Sequence, residues 1–151
     1  MKIESDAFGP GQSIPPAHTC DGKDLSPSLR WSDPPENTRC FALICDDPDA
    51  PARTWVHWLV WNIPPDSRGL AGGFGRQADL PDGTRQGTTD SREIGYGGPC
   101  PPSGTHRYFF RLYALDQMLG LPSGARRAEL DVALRGHILA EAELMGTYRR
   151  S

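Results

Sequence analysis

Three side chains of this 151-residue chain stand out for what they could do together: Asp47, His57 and His106. A carboxylate and two imidazoles can exchange protons near neutral pH, hold an anion when the rings are charged, or ligate a metal when they are neutral. They do not share a short motif, so their meeting depends on the elements that carry them. Asp47 closes the apolar run Cys40-Phe41-Ala42-Leu43-Ile44-Cys45, and His57 opens a second, Val56 through Ile63. Between the runs, Asp46-Asp47-Pro48-Asp49-Ala50-Pro51 forms a Pro-rich turn. If the two strands run antiparallel, both side chains lie at one end of the sheet. His106 opens a third run, His106 to Leu115, and joins them if that strand lies beside or near the second in the same sense.

The segment before His106, Gly95 through Thr105, supplies glycines whose backbone N–H groups can face a ligand closely and prolines that stiffen the loop. Together these features predict a small site for phosphate, carboxylate or a similar anion. A different class, a metal-dependent hydrolase with Asp47, His57 and His106 as ligands and an open fourth position, is the alternative. A third reading places inhibition of a protein target in residues 66–95. Trp55 is placed to wall a pocket, while Trp31, Trp58 and Trp61 read as packing. His18 lies in a loop, and His137 falls on the apolar face of an expected helix. Gly73 to Ala78 fits the degenerate dinucleotide pattern G-x-G-x-x-A, but no strand precedes it and Pro81 follows, so the helix context fails. The sequence has no P-loop, no G-x-S-x-G elbow and no H-E-x-x-H.

The elements around these residues indicate a β-rich chain. Fifteen Pro and 17 Gly, spread without a repeat, punctuate short segments. The run Cys40–Cys45 is apolar on both alternating faces, as in a covered central strand. Residues 66–95 are polar and Gly-rich, long enough that short strand pairing must be hidden there or the loop is functional. From Arg126 to Met145, Leu130, Leu134, Ile138 and Leu144 recur at helical spacing, and one amphipathic helix ended by Gly146 is expected. The length fits one domain spanning residues 1–151. A formal charge of −3 gives no footprint for nucleic acid. With no basic n-region followed by an apolar stretch, and no run of 18 apolar residues, the chain is expected to be cytoplasmic and not membrane-spanning. Cys40 and Cys45 read as core thiols. Cys20 and Cys100 lie in turn-rich segments where a bridge is allowed, although four cysteines permit three pairings.

From end to end, the residues resemble a known family. Asp47-Pro48-Asp49-Ala50-Pro51 followed by His57-Trp58, and Gly98 to Pro102 followed by Gly104 and His106-Arg107-Tyr108, look like the two signature blocks of phosphatidylethanolamine-binding proteins. Tyr96 to Pro102, Thr19-Cys20-Asp21-Gly22 and Gly146-Thr147-Tyr148 are similar to the bacterial branch labelled Raf kinase inhibitor-like. The resemblance implies an antiparallel β-sandwich with a few peripheral helices and no catalytic machinery or cofactor. It implies a pocket for phosphate, phosphorylethanolamine or phospholipid head groups built from Asp47, Ala50, Pro51, Trp55, His57, Gly98, Pro102, His106 and Tyr108. Eukaryotic members of the family are tied to kinase regulation and protease inhibition, so a protein target, and a homodimer, are among the partners to consider. The resemblance also puts Cys20 and Cys100 on two loops that meet near the pocket, with a disulfide under oxidising conditions. Thr88-Thr89-Asp90-Ser91-Arg92 departs from the Gly-Arg-Asn-aromatic run of relatives, at the loop beside the pocket.

Overall fold

The three apolar runs become neighbouring strands of one sheet. The computed structural model describes residues 1–150, with strands β1 (Lys2–Glu4), β2 (Leu29–Ser32), β3 (Cys40–Asp47), β4 (Trp55–Ile63), β5 (Gly69–Leu70), β6 (Arg85–Gln86), β7 (His106–Leu115) and β8 (Ile138–Tyr148). One helix, α1 (Arg127–Leu134), and a 3-10 turn at Pro16–His18 complete the elements. The larger sheet has the order β6-β4-β3-β7-β8 and the smaller the order β1-β2-β5, and every named strand pair is antiparallel.

All eight residues of β3 are buried, because the larger sheet is covered on both faces. On one face Phe41, Leu43 and Cys45 pack with Ile3, Leu29, Trp31 and Leu70 of the smaller sheet. On the other, Cys40, Ala42 and Ile44 pack with Leu119, Ala125, Leu130 and Leu134. An eight-residue helix is marginal in isolation, so α1 depends on burying Leu130 and Leu134, each worth about 1.5–3 kcal/mol of transfer free energy. Its first turn is closed by the Glu129 carboxylate, which accepts the Arg126 backbone N–H at 3.1 Å. Glu129→Ala should therefore cost about 0.5–1 kcal/mol in urea unfolding, with an unchanged m-value. A neutral result would show that the sheet contacts alone set the helix.

The expected helix over 126–145 is corrected. It occupies only Arg127–Leu134, the turn passes through Gly136 at φ +79°, and Ile138–Tyr148 is a strand paired along its length with β7. Helical spacing of Leu130, Leu134 and Ile138 masked a period of two, in which Leu144 and Tyr148 are buried and Glu141 and Glu143 exposed. Gly146 does not cap a helix. It lets Phe8 and Ile14 lie against β8, where a Cβ would stand 2.7 Å from both side chains. His137 is likewise not in the core; its Nδ1 pairs with the Asp116 carboxylate at 2.9 Å on a partly exposed turn.

Beyond β8, the outward backbone groups of Met145 and Thr147 are taken up by residues 11–14: Gly11 N–H donates to Met145 O, and Ile14 N–H to Thr147 O. Short pairings are indeed hidden in residues 66–95, as β5 against β2 and β6 against β4. There the buried Gln86 side chain accepts the Trp58 indole N–H at 2.7 Å and donates to the carbonyls of Gly75 and Gln77.

Candidate functional site

Because β3 lies between β4 and β7 and is antiparallel to both, the end of β3 and the starts of β4 and β7 coincide. Asp47, His57 and His106 therefore meet at one sheet end. The local register of β4 refines this. Cys45 pairs with Trp58 and Asp46 with Val56, so His57 is an extra residue in the ladder, a β-bulge. Bulges re-aim a side chain next to a site. Consecutive Asp46 and Asp47 diverge: buried Asp46 binds the guanidiniums of Arg111 and Arg127 at 3.0–3.1 Å, while Asp47 turns to the histidines' side.

A cavity of about 420 Å³ opens there, lined by Asp47, Ala50, Pro51, Trp55, His57, Gly98, Pro102, His106 and Tyr108 together with Asp24, Ser91, Glu93, Gly97, Cys100 and Pro101. All nine residues singled out in the sequence thus line this cavity. Asp24 and Glu93 were not legible, since isolated carboxylates in polar loops carry no periodic signal, whereas Ser91 belongs to the departing run expected beside the pocket.

The hydrogen bonds give the two rings different partners. Asp47 accepts from His106, not His57: His106 Nδ1 lies 2.7 Å from Asp47 Oδ2, with both side chains buried. His57 Nδ1 instead donates to the Gly97 carbonyl at 2.6 Å. The glycine loop, moreover, is not an open row of donors, because Gly97 N–H is bound to His57 O and Gly98 N–H to Asp24 Oδ1. The ring nitrogens left without a partner, His57 Nε2 and His106 Nε2, are lone-pair acceptors while the rings are neutral and donors only on protonation; the Tyr108 hydroxyl is a donor in either case. That hydroxyl is buried with no partner among the described residues. Its ring lies 5.3 Å from the His57 ring and 6.5 Å from that of His106.

Electrostatics follow from burial. Burial pushes His57 below its ordinary value, opposed by its bond to the Gly97 carbonyl and by the nearby Asp47 carboxylate. Burial pushes the Tyr108 phenol upward, so it stays an O–H donor. At the rim, Asp49 clasps Arg107 through two bonds of 2.9 Å from its side chain and is held down to about 2 by that guanidinium. This clasp fixes the Pro-rich turn to the start of β7. Among the described residues no group of three or more His, Cys, Asp and Glu is arranged as metal ligands, and Asp47 is spent on His106. The metal-hydrolase alternative gains no support from this geometry.

The family profile described as phosphatidylethanolamine-binding protein matches residues 4–149. The chain belongs to that family. A relative in Methanothermobacter thermautotrophicus named UPF0098 protein is 52% identical over 150 residues, covering 99% of both chains. One of the same name in Chlamydia muridarum is 43% identical over 155 residues, again 99% of both. Among solved structures, Escherichia coli YbcL, titled a new member of the mammalian PEBP family, matches with a TM-score of 0.92 at 35% identity, covering 99% of this chain and 98% of that one. CT736 of Chlamydia trachomatis, titled a phosphatidylethanolamine-binding protein homolog, matches with a TM-score of 0.90 at 41% identity over 99% and 97% of the two chains.

In this family member the departing loop, Thr88 to Arg92, does local structural work. Asp90 accepts the Val56 N–H at 2.7 Å and the Arg53 guanidinium at 3.1 Å, while Ser91 reaches the cavity. Cys20 and Cys100 are joined as a disulfide, with Cα atoms 5.4 Å apart, and Cys40 and Cys45 are buried and free. No helix is long and apolar enough to cross a membrane.

Proposed function

We propose that this protein is a non-catalytic binding protein whose cavity takes a phosphate-like anion, as free phosphate or as the phosphate of a head group. The observation that carries this reading is the buried, unpartnered Tyr108 hydroxyl between two imidazoles whose Nδ1 atoms are already tied down. A buried polar group without a partner is costly and calls for a ligand or water. With Nδ1–H fixed on Gly97 O or Asp47, each neutral ring offers only a lone pair at Nε2, and protonation turns that atom into a charged donor. Trp55, 36% exposed at the rim, gives an apolar surface for whatever the phosphate is attached to. The free thiols do not argue for covalent chemistry: burial pushes Cys40 up to about 11 and Cys45 well above its ordinary value.

The proposal makes binding depend on pH with a defined sign. His57 is held below its ordinary value in the free protein, so at neutral pH it must take up a proton to donate to an anion. Affinity for phosphate should rise as pH falls toward the free-protein value and weaken by up to about tenfold per unit above it for each proton coupled. Calorimetric titration with phosphate over about pH 5.5 to 8.5, corrected for the ligand's own second ionisation near 6 to 7, measures this. Repeating it in buffers of different ionisation heat counts the protons taken up. Undetectable binding at millimolar phosphate throughout would sink the proposal. A flat profile would show that the histidines do not contribute charge.

A further inference from the structure

We propose that the Cys20–Cys100 bridge is a redox latch on the anion pocket: oxidised, it holds the binding wall; reduced, it releases it. The inference rests on the binding role just proposed and concerns its regulation.

Cys100 lines the cavity beside Gly98, Pro101 and Pro102. Its partner lies 80 residues away, on the loop that follows the 3-10 turn. Both cysteines are exposed, so a reductant can reach the sulfurs, unlike the buried thiols Cys40 and Cys45. The bridge is the covalent tie between two loops that otherwise meet through three hydrogen bonds: Cys20 N–H to Pro99 O at 3.1 Å, Gly98 N–H to Asp24 Oδ1 at 2.7 Å, and Tyr96 Oη–H to His18 O at 2.6 Å.

The wall it pins leads straight into the site. Gly97, three residues before Cys100, supplies the carbonyl that orients His57. His106, six residues after it, begins β7 and carries the ring bound to Asp47. Between them run Pro101 to Thr105, with Gly104 at φ +70° and residues 102–105 exposed. Among the described residues no hydrogen bond ties Pro101 to Thr105 to the loop around Cys20, so the bridge at Cys100 is the anchor next to this stretch. Its loss removes the covalent anchor between the Gly97 carbonyl that holds His57 and the start of β7 that carries His106, leaving the hydrogen bonds of Gly97, Gly98 and Pro99 to hold that wall.

The chemistry is thiol–disulfide exchange with a protein dithiol of the thioredoxin class. A donor thiolate attacks one sulfur of the bridge, the Cys20–Cys100 bond breaks, and the donor's second thiol resolves the mixed disulfide. The bridge gains two electrons and two protons and the donor leaves as a disulfide. In a reducing compartment the pocket is then open and weak; under oxidising conditions it is closed and competent.

Phosphate affinity is measured by the shifts of the His57 and His106 ring protons on the full chain, oxidised, reduced with excess dithiothreitol, and reoxidised. Amide exchange at residues 97–106 is followed without ligand in the same states. The latch requires weaker phosphate binding after reduction by at least about tenfold, the equivalent of one lost charge-assisted hydrogen bond. It also requires faster exchange confined to that segment, and recovery of both on reoxidation. A Cys20→Ser/Cys100→Ser variant should reproduce the reduced state; if it does not fold, the dithiothreitol series on the natural chain still decides. Equal affinity in both states overturns the latch, even if reduction lowers the melting temperature, because the bridge is then only a staple. Failure of the oxidised protein to bind phosphate is a different result, and removes the binding role together with its regulation.

Discussion

Asp47→Ala should lose about 2–4 kcal/mol of stability and weaken phosphate binding by about tenfold or more. The carboxylate serves two buried or partly buried donors at once: Oδ2 takes the His106 ring and Oδ1 the Asp49 backbone N–H at 2.8 Å. Alanine leaves both without an acceptor, and each unsatisfied group costs about 1–3 kcal/mol. It also removes the carboxylate charge beside the two imidazoles and frees the His106 ring to rotate. Asp47→Asn separates the two effects. The single amide oxygen can accept from only one of the two donors, so about half of the lost stability should return, while the anion affinity should not. Urea unfolding and phosphate calorimetry on both variants provide the check; an asparagine variant that binds like the natural chain would show that orientation, not charge, is what Asp47 contributes.

Gly98→Ala should cost about 1–3 kcal/mol, lower the melting temperature by several degrees and deform the pocket. A Cβ at this position would run into the His18 carbonyl and the Asp24 carboxylate and stand 3.0 Å from the Thr19 Cα. Two of these three atoms belong to backbone, so no rotamer change relieves the contact. The chain must part at the seam between the loop of residues 16–25 and the loop of residues 96–104, where Gly98 N–H also binds Asp24. Gly104→Ala is the control. It carries a positive φ but has nothing within 4 Å of its Cβ direction, so its cost should be limited to backbone strain of about 1 kcal/mol, with binding retained. If Gly98→Ala melts and binds like the natural protein, the two loops are looser than their contacts indicate.

Strands β3 and β4 were legible because they are apolar on both faces, and with β7 they are stopped by Pro or Asp, signals set by backbone chemistry rather than by the rest of the fold. The convergence of Asp47, His57 and His106 was legible for the same reason, since strand ends locate side chains once the pairing is antiparallel. What could not be read depends on single-residue shifts. The bulge at His57 leaves no mark in its sequence, yet it decides that His57 meets Gly97 while Asp47 is left for His106. The glycines before His106 have the composition of an anion cradle, but their N–H groups face His57 and Asp24 instead. For β8 the error was one of period: four apolar residues at helical spacing outweighed an alternation that pays off only when β7 is there to pair with it.

The free margin of β8 bears on how copies of this chain meet. Residues 11–14 cover the edge at Met145 and Thr147; by the same alternation the N–H and C=O of Glu141 and Glu143 face outward, with no partner among the described residues. A bare edge of this kind invites another strand. A second copy laid antiparallel about Ala142 would set Glu141 against Glu143 of its mate twice over, and opposed like charges are repulsive in a ladder. In that register the opposed carboxylates add a repulsive term to self-pairing that a foreign strand does not meet, lessened where Arg111 already pairs with Glu143 at 3.2 Å.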